Sequence, residues 1–228
     1  MPDNPPAPES RSAGDDAAPG VPTDPTALLI DFGGVLTSGV FASFSAACVA
    51  EGLEPDRFLQ AIRGTPEAGG LFTAVERGEL ADDEFERAFA PMLGPDVRPE
   101  GLLRRLTAAL RPDEPMLAAV RDLRAAGVTT LLLSNSFGMH AYDDYDLPGL
   151  FDHVVLSGDV GVRKPSGAIY RLALERAAVT ADRAVFVDDL EQNVVAAGRA
   201  GIHGVLHVEA ATTIPALEAA FGVPLGAG

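Results

Sequence analysis

Six residues of this chain could do chemistry together if folding gathered them: Asp31, Ser134, Asn135, Lys164, Asp188 and Asp189. Asp31 closes the apolar run "ALLIDF", Ser134 and Asn135 close "VTTLLLSNS", and the acid pair closes "AVFVDD". Lys164 sits in the loop "GDVGVRKPSGAIY", just after the run "HVVLSG", and is the only lysine in the chain. Taken singly, each has an ordinary explanation: a turn residue, a helix cap, a solvated cation. Brought to one edge, they would put three carboxylates, an ammonium and a hydroxyl side by side. Carboxylates that close repel one another unless a cation joins them, and a set of oxygen donors selects a hard ion such as Mg²⁺.

The runs that carry these residues read as strands, together with "HGVLHV" at 203–208. They are too short for helices and rich in branched or Leu side chains on both faces. Between them, "EPMLAAVRDLRAAG", "SGAIYRLALERAAV" and "EQNVVAAGRAG" space their apolar residues by three and four, as helices do. Strands buried on both faces and alternating with helices predict an α/β fold, a Rossmann-like doubly wound parallel sheet. In such a sheet the ligand site lies at the carboxyl ends of the strands, where the six residues fall. The first connection departs from the pattern. About ninety residues, 37–127, stand where a simple crossover needs about thirty. Segments such as "FASFSAACVAEG", "PDRFLQAIRG", "LFTAVERGELADDEFERAFAPMLG" and "EGLLRRLTAAL" show helical period. The expected organisation is a disordered tail (1–26), a core (27–37 and 112–228) and an inserted α-helical cap (38–111) over the strand ends, placed to act as a lid.

Composition narrows the function. The chain has 228 residues, 47% of them hydrophobic, and a formal charge of −16. So acidic a surface offers no basic stripe to nucleic acid. No apolar run reaches the length of a membrane span, and the amino terminus lacks the pattern of a signal peptide. One cysteine, Cys48, in an apolar helical pattern, suits a reducing cytoplasm and a packing role. His140, His153, His203 and His207 show no metal-ligand spacing, and His203 and His207 read as structural residues of one strand. The oligomeric state is not legible, a homodimer being one arrangement compatible with the sequence.

The ordered motifs "LLIDFGGVLT", "LLLSNS", "VRKP" and "VFVDDLEQN" resemble those of the haloacid dehalogenase (HAD) superfamily, from about residue 27 to the end. The third and fourth are most similar to the subgroup that includes the amino-terminal phosphatase domain of soluble epoxide hydrolase. They are also similar to the HAD-like domain of acyl-CoA dehydrogenase fusion proteins, which carries a similar "GG" first motif. The resemblance implies a Mg²⁺-dependent hydrolase acting on a small phosphorylated substrate. Asp31 would be the nucleophile, forming an aspartyl-phosphate. The metal would be held by Asp31, the Gly33 carbonyl and Asp189, with Asp188 as a further ligand or a support. Ser134, the backbone at Asn135, Gly34 and Lys164 would receive the phosphoryl oxygens, Lys164 neutralising charge. Asn193 would position a metal-bound water.

One position departs from the family's phosphatases. Two residues after the nucleophile they carry an aspartate that acts as general acid and base; here it is Gly33. Such help is worth about 10²–10⁴-fold in rate, so slow turnover is expected unless another group substitutes, Thr37, Ser38 and the acids of "HAYDDYD" (140–146) being candidates. A non-catalytic, phospho-ligand-binding module is the first alternative. A 2-haloacid dehalogenase is the second, matching Ser134-Asn135 but leaving the acid pair without a cation. Phosphonate hydrolysis by a cap lysine is excluded, because the cap has none. In the cap, Arg57, Arg63, Glu67, Phe72 and Arg77 are candidates to face the substrate.

Overall fold

The computed structural model of the chain describes residues 24–226, apart from the side chains of residues 139 and 140. Residues 1–23 of the expected tail, and the side chain of His140, lie outside the described residues. The last three residues of that tail are tied to the core. The Thr26 N–H donates to the Arg183 carbonyl at 2.9 Å, and Asp24 pairs with Arg183 at 2.8 Å.

All five expected strands form: β1 (Ala27–Ile30), β2 (Thr129–Ser134), β3 (His153–Leu156), β4 (Ala184–Asp188) and β5 (His203–Leu206). They pair in parallel in the order β3-β2-β1-β4-β5. The chain builds outward from β1 to β3, then crosses back to lay β4 and β5 on the other side. The crevice of such a sheet opens where the order reverses, between β1 and β4. His207 lies one residue past β5, where its N–H donates to the Asp188 carbonyl and its ring meets the Thr213 hydroxyl at 2.9 Å.

The long first connection holds α1 (Val40–Ala50), α2 (Arg57–Gly64), α3 (Pro66–Glu76), α4 (Asp82–Leu93) and α5 (Leu102–Thr107). The expected 71–94 segment breaks in two at Gly78, whose backbone turns with φ 68°. Then come α6 (Glu114–Ala125), α7 (Leu147–Leu150), α8 (Ser157–Val160), α9 (Gly167–Ala177), α10 (Glu191–Arg199) and α11 (Ala210–Phe221).

Alternation along β1 shows why the sheet needs two helical layers. Leu28 and Ile30 pack with Met116, Val120 and Leu123 of α6 and Leu217 of α11. Ala27 and Leu29 pack on the opposite face with Ile169, Tyr170 and Ala173 of α9 and Ala197 of α10. Successive strand side chains point to opposite faces, so a strand apolar throughout must be covered twice. The inserted helices have a core of their own, built on Phe44, Phe58, Phe85, Phe89 and Leu93, with Cys48 buried in it. Their entry and exit are tied together, the Asp113 N–H donating to the Leu36 carbonyl at 2.9 Å and the Ser38 N–H to the Arg111 carbonyl at 2.8 Å.

Candidate active site

Asp31 follows β1 directly and keeps the ladder going, its N–H donating to the Val187 carbonyl at 2.9 Å. Its Oδ1 accepts from the Phe32 N–H at 2.7 Å and lies 2.8 Å from Lys164 Nζ. Asp188 ends the neighbouring strand, so parallel pairing across the crevice sets the two acids on either side of one ammonium. Lys164 Nζ donates to Asp188 Oδ2 at 2.7 Å, and both side chains are fully buried. Asp188 Oδ1 is occupied as well, by the Leu190 N–H and the Asn193 amide, each at 2.9 Å. Asn135, from the end of β2, clamps the backbone of Lys164: its Oδ1 accepts from the Lys164 N–H at 2.9 Å, and its Nδ2 donates to the Lys164 carbonyl at 3.1 Å. The ring of Phe186 lies 5.6 Å from the ammonium.

Asp189, half-buried, completes the cluster. One oxygen of Asp31, one of Asp188 and one of Asp189 lie within 4.8 Å of each other. Gly34 makes room for the third. Its backbone turns with φ 81°, and a Cβ there would stand 2.8 Å from Asp189 Cγ. Gly34 was expected to meet substrate, but its N–H is committed to the Thr37 hydroxyl at 3.3 Å and it does not line the cavity described next. Its local role is to let the Asp189 carboxylate approach the first loop.

Two formal negative charges remain after Lys164 is counted, in a place largely closed to water. Burial, with Asp188 and Asp189 close by, pushes the Asp31 carboxyl well above the usual range, and Lys164 offsets only part of this. Burial and Asp188 raise Asp189 to about 6. Burial alone would lower Lys164, but Asp31 and Asp188 hold its pKa above the ordinary value, so it stays an ammonium. The pocket has more anionic charge than its lysine neutralises, only oxygen donors around the gap, and a buried Asn193 Oδ1 with no hydrogen-bond partner. A hard divalent cation fits these residues.

These side chains floor a cavity of about 170 Å³. Ser134, whose hydroxyl accepts from the Tyr142 phenol at 3.0 Å, lines it together with Asn135, Asn193 and Gly33. The opposite wall is apolar: Val40, Phe41, Phe44, Phe72 and Phe137. Of the residues expected from the inserted helices, only Phe72 is there. Arg57 instead donates to the Leu93 and Met92 carbonyls at the end of α4. Arg63 and Glu67 are exposed, and Arg77 faces Glu79. Thr37 and Ser38 bond within their own loop and to Arg111. Asp143, Asp144 and Asp146 line a separate cavity with Arg104 and Arg121, away from Asp31. The sequence reading missed Glu76 and Arg163, which line the Asp31 cavity and pair at 3.0 Å. A signal was present: Glu76 follows Phe72 by four residues, on the same helical face.

Residues 25–201 match the haloacid dehalogenase-like hydrolase family, and the chain belongs to it. It is 28% identical over 218 residues to acyl-CoA dehydrogenase family member 10 of Mus musculus, covering 89% of this chain but 20% of that protein. This chain therefore spans about a fifth of that relative's length. It is 31% identical over 140 residues to a sesquiterpene phosphatase of Aspergillus oryzae, covering 58% of this chain and 69% of that one. The fold is shared with a HAD family enzyme of Bacteroides thetaiotaomicron crystallised with magnesium and inorganic phosphate. That match has a TM-score of 0.62 and 22% identity, and covers 81% of this chain and 94% of the other.

Proposed function

We propose that the chain is a Mg²⁺-dependent phosphatase of small phosphorylated metabolites, working through an aspartyl-phosphate on Asp31. The observation that carries this is the buried Asp31–Lys164–Asp188 row with Asp189 beside it, inside a hydrolase family. Lys164 holds Asp31 Oδ1 in one direction, which leaves the other carboxylate oxygen to attack phosphorus. The same ammonium offsets charge on the phosphoryl oxygens as the bond to the leaving group breaks. Ser134 donates to one of those oxygens. Mg²⁺ would be held by Asp31, Asp189 and the Gly33 carbonyl, and would supply charge neutralisation of the phosphoryl group. Asp188, already saturated by Lys164, Leu190 and Asn193, supports this arrangement from behind.

The inserted helices act as a cap whose aromatic wall meets the organic part of the substrate. Because position 33 carries no carboxyl group, hydrolysis is slow unless another group supplies the proton, and the need is greater for alkyl than for acyl or aryl phosphates. A cytoplasmic location accords with a lone, buried thiol; among the described residues, no helix is long and apolar enough to cross a membrane.

Purified protein with Mg²⁺ and p-nitrophenyl phosphate tests the reading. Turnover is expected in the wild type, absent in Asp31→Asn and absent with EDTA. Tight phosphate binding with no turnover would replace the enzyme by a binding module. Chloride release from 2-chloropropionate that survives EDTA would replace it by a dehalogenase.

A further inference from the structure

Resting on the phosphatase reading, we propose that Glu76 supplies the proton transfer that position 33 cannot, acting from α3 as the general acid and base for Asp31. Among the described residues, three acids line the cavity: Asp31, Asp189 and Glu76. The first two belong to the oxygen cluster suited to a cation, which leaves Glu76 as the acid free to carry a proton. It is buried, 6% exposed, and lines the cavity together with Phe72, one helical turn earlier on α3.

Glu76 is also fixed in place. Its carbonyl accepts from the Ser157 hydroxyl, whose oxygen accepts in turn from the Ser136 N–H at 2.8 Å, just beyond β2. Two residues on, Gly78 packs directly against the backbone of Gly158. The carboxyl end of α3 is thus bolted to the core even though the helix belongs to the inserted lobe. Its Oε2 is ion-paired at 3.0 Å with Nη1 of Arg163, the residue before Lys164, but among the described residues that same oxygen has no partner in hydrogen-bond geometry. A carboxylate oxygen that is ion-paired but not hydrogen-bonded, beside a reaction cavity, can still take a proton. The charged groups that act on it are Arg163 and Lys164 from the facing loop and Arg77 from its own helix; burial outweighs all three and raises Glu76 to about 7. That value suits a group that must give and take protons near neutrality.

The usual position is closed by more than the lack of a side chain. A Cβ on Gly33 would stand 2.5 Å from Val40 Cγ2, so the first residue of α1 occupies the slot an aspartate would need. In the proposed cycle, an Asp31 oxygen attacks phosphorus and the bond from phosphorus to the ester oxygen breaks. The leaving oxygen takes the proton of the Glu76 carboxylic acid. Water then attacks the aspartyl-phosphate and gives its proton to the Glu76 carboxylate. The bond from phosphorus to Asp31 breaks, releasing inorganic phosphate and restoring both acids.

The test compares wild type, Glu76→Gln and Glu76→Asp, with Mg²⁺, on an aliphatic phosphate monoester and on p-nitrophenyl phosphate across pH 5–9. Glu76→Gln is expected to lose about 10²-fold or more in kcat/KM on the aliphatic ester, far less on p-nitrophenyl phosphate, and to lose one limb of the pH profile. Glu76→Asp keeps a charge for Arg163 but draws the carboxyl back, so it should fold and show the same substrate-dependent loss if Glu76→Gln fails to fold. Equal losses on both substrates with an unchanged pH profile would mean that Glu76 only clasps the lobe to the core, and would overturn the proposal. So would unchanged turnover of the aliphatic ester. A wild type inert toward every phosphate, indistinguishable from Asp31→Asn, would overturn the phosphatase reading itself, whereas an active wild type with an unaffected Glu76→Gln would overturn only the role of Glu76.

Discussion

The floor and the wall of the cavity are held by different physics. On the floor, one ammonium is fixed by two carboxylates at 2.7 and 2.8 Å while Asn135 grips its backbone from both sides. Every contact there is directional, and the two to the ammonium are charged, so residue type is tightly constrained. The wall is a cluster of phenylalanines, Phe44 against Phe137 at 4.9 Å and Phe72 against Phe137 at 5.2 Å between centroids, backed by Phe58 at 4.5 Å from Phe44. Apolar packing is non-directional, so shape and volume matter more than identity. On the proposed reading, reaction chemistry belongs to the floor, while the wall can change shape and volume without disturbing it.

Removing the ammonium separates the two regions most sharply. Lys164→Met leaves Asp31 and Asp188 buried without their cation, a change expected to cost about 3–5 kcal/mol of stability and all Mg²⁺-dependent turnover. Thermal unfolding and a phosphatase assay check both, and partial recovery of stability in the double variant with Asp188→Asn would tie the loss to stranded charge. In the wall, Phe44→Ala is also expected to cost about 3–5 kcal/mol, through the cavity it leaves. There the measured loss should be independent of pH and of Mg²⁺, unlike that of Lys164→Met.

The junction of floor and wall, Gly33 against Val40, gives a smaller effect read in activity. Gly33→Asp alone is expected to gain nothing, because Val40 blocks the new side chain. In a Glu76→Gln background, Gly33→Asp combined with Val40→Ala should raise kcat on an alkyl phosphate by about 10²-fold. A gain in the single variant equal to that in the double would show that Val40 yields easily.

The mildest probe is pH. Glu76 has a folded-state pKa raised from 4.5 to about 7, so between those values the folded protein holds a proton that the unfolded chain has released. Its contribution to stability is complete below about pH 4.5 and disappears as pH rises through about 7, at most roughly 3 kcal/mol. Melting temperature should fall over that interval, and by less in Glu76→Gln. Added Mg²⁺ should relieve the parallel penalty of Asp31 and Asp189, leaving that of Glu76.

Reading along the chain located the five strands, the helices that cover them and the acids at their ends, because those signals are local. A short run apolar on both faces, helical spacing and a carboxylate closing such a run each occupy a few adjacent residues. Asp31, Lys164 and Asp188 were legible as a group because parallel strands necessarily bring their carboxyl ends to one edge. Gly33 was legible as a missing acid, but nothing adjacent to it showed that Val40 fills the vacated slot. Glu76 was passed over for Arg57 and Arg77 because the side of a lobe helix that faces the core is set by how the lobe docks. The docking contacts run from Glu76 to Ser157 and Arg163, across some eighty residues of chain. What the sequence determined was therefore the sheet and the charges it concentrates, through short-range pattern and strand polarity. Which acid from the inserted helices lines the cavity with Asp31 was decided only by tertiary packing, since contacts between distant segments fix distances that no local pattern encodes.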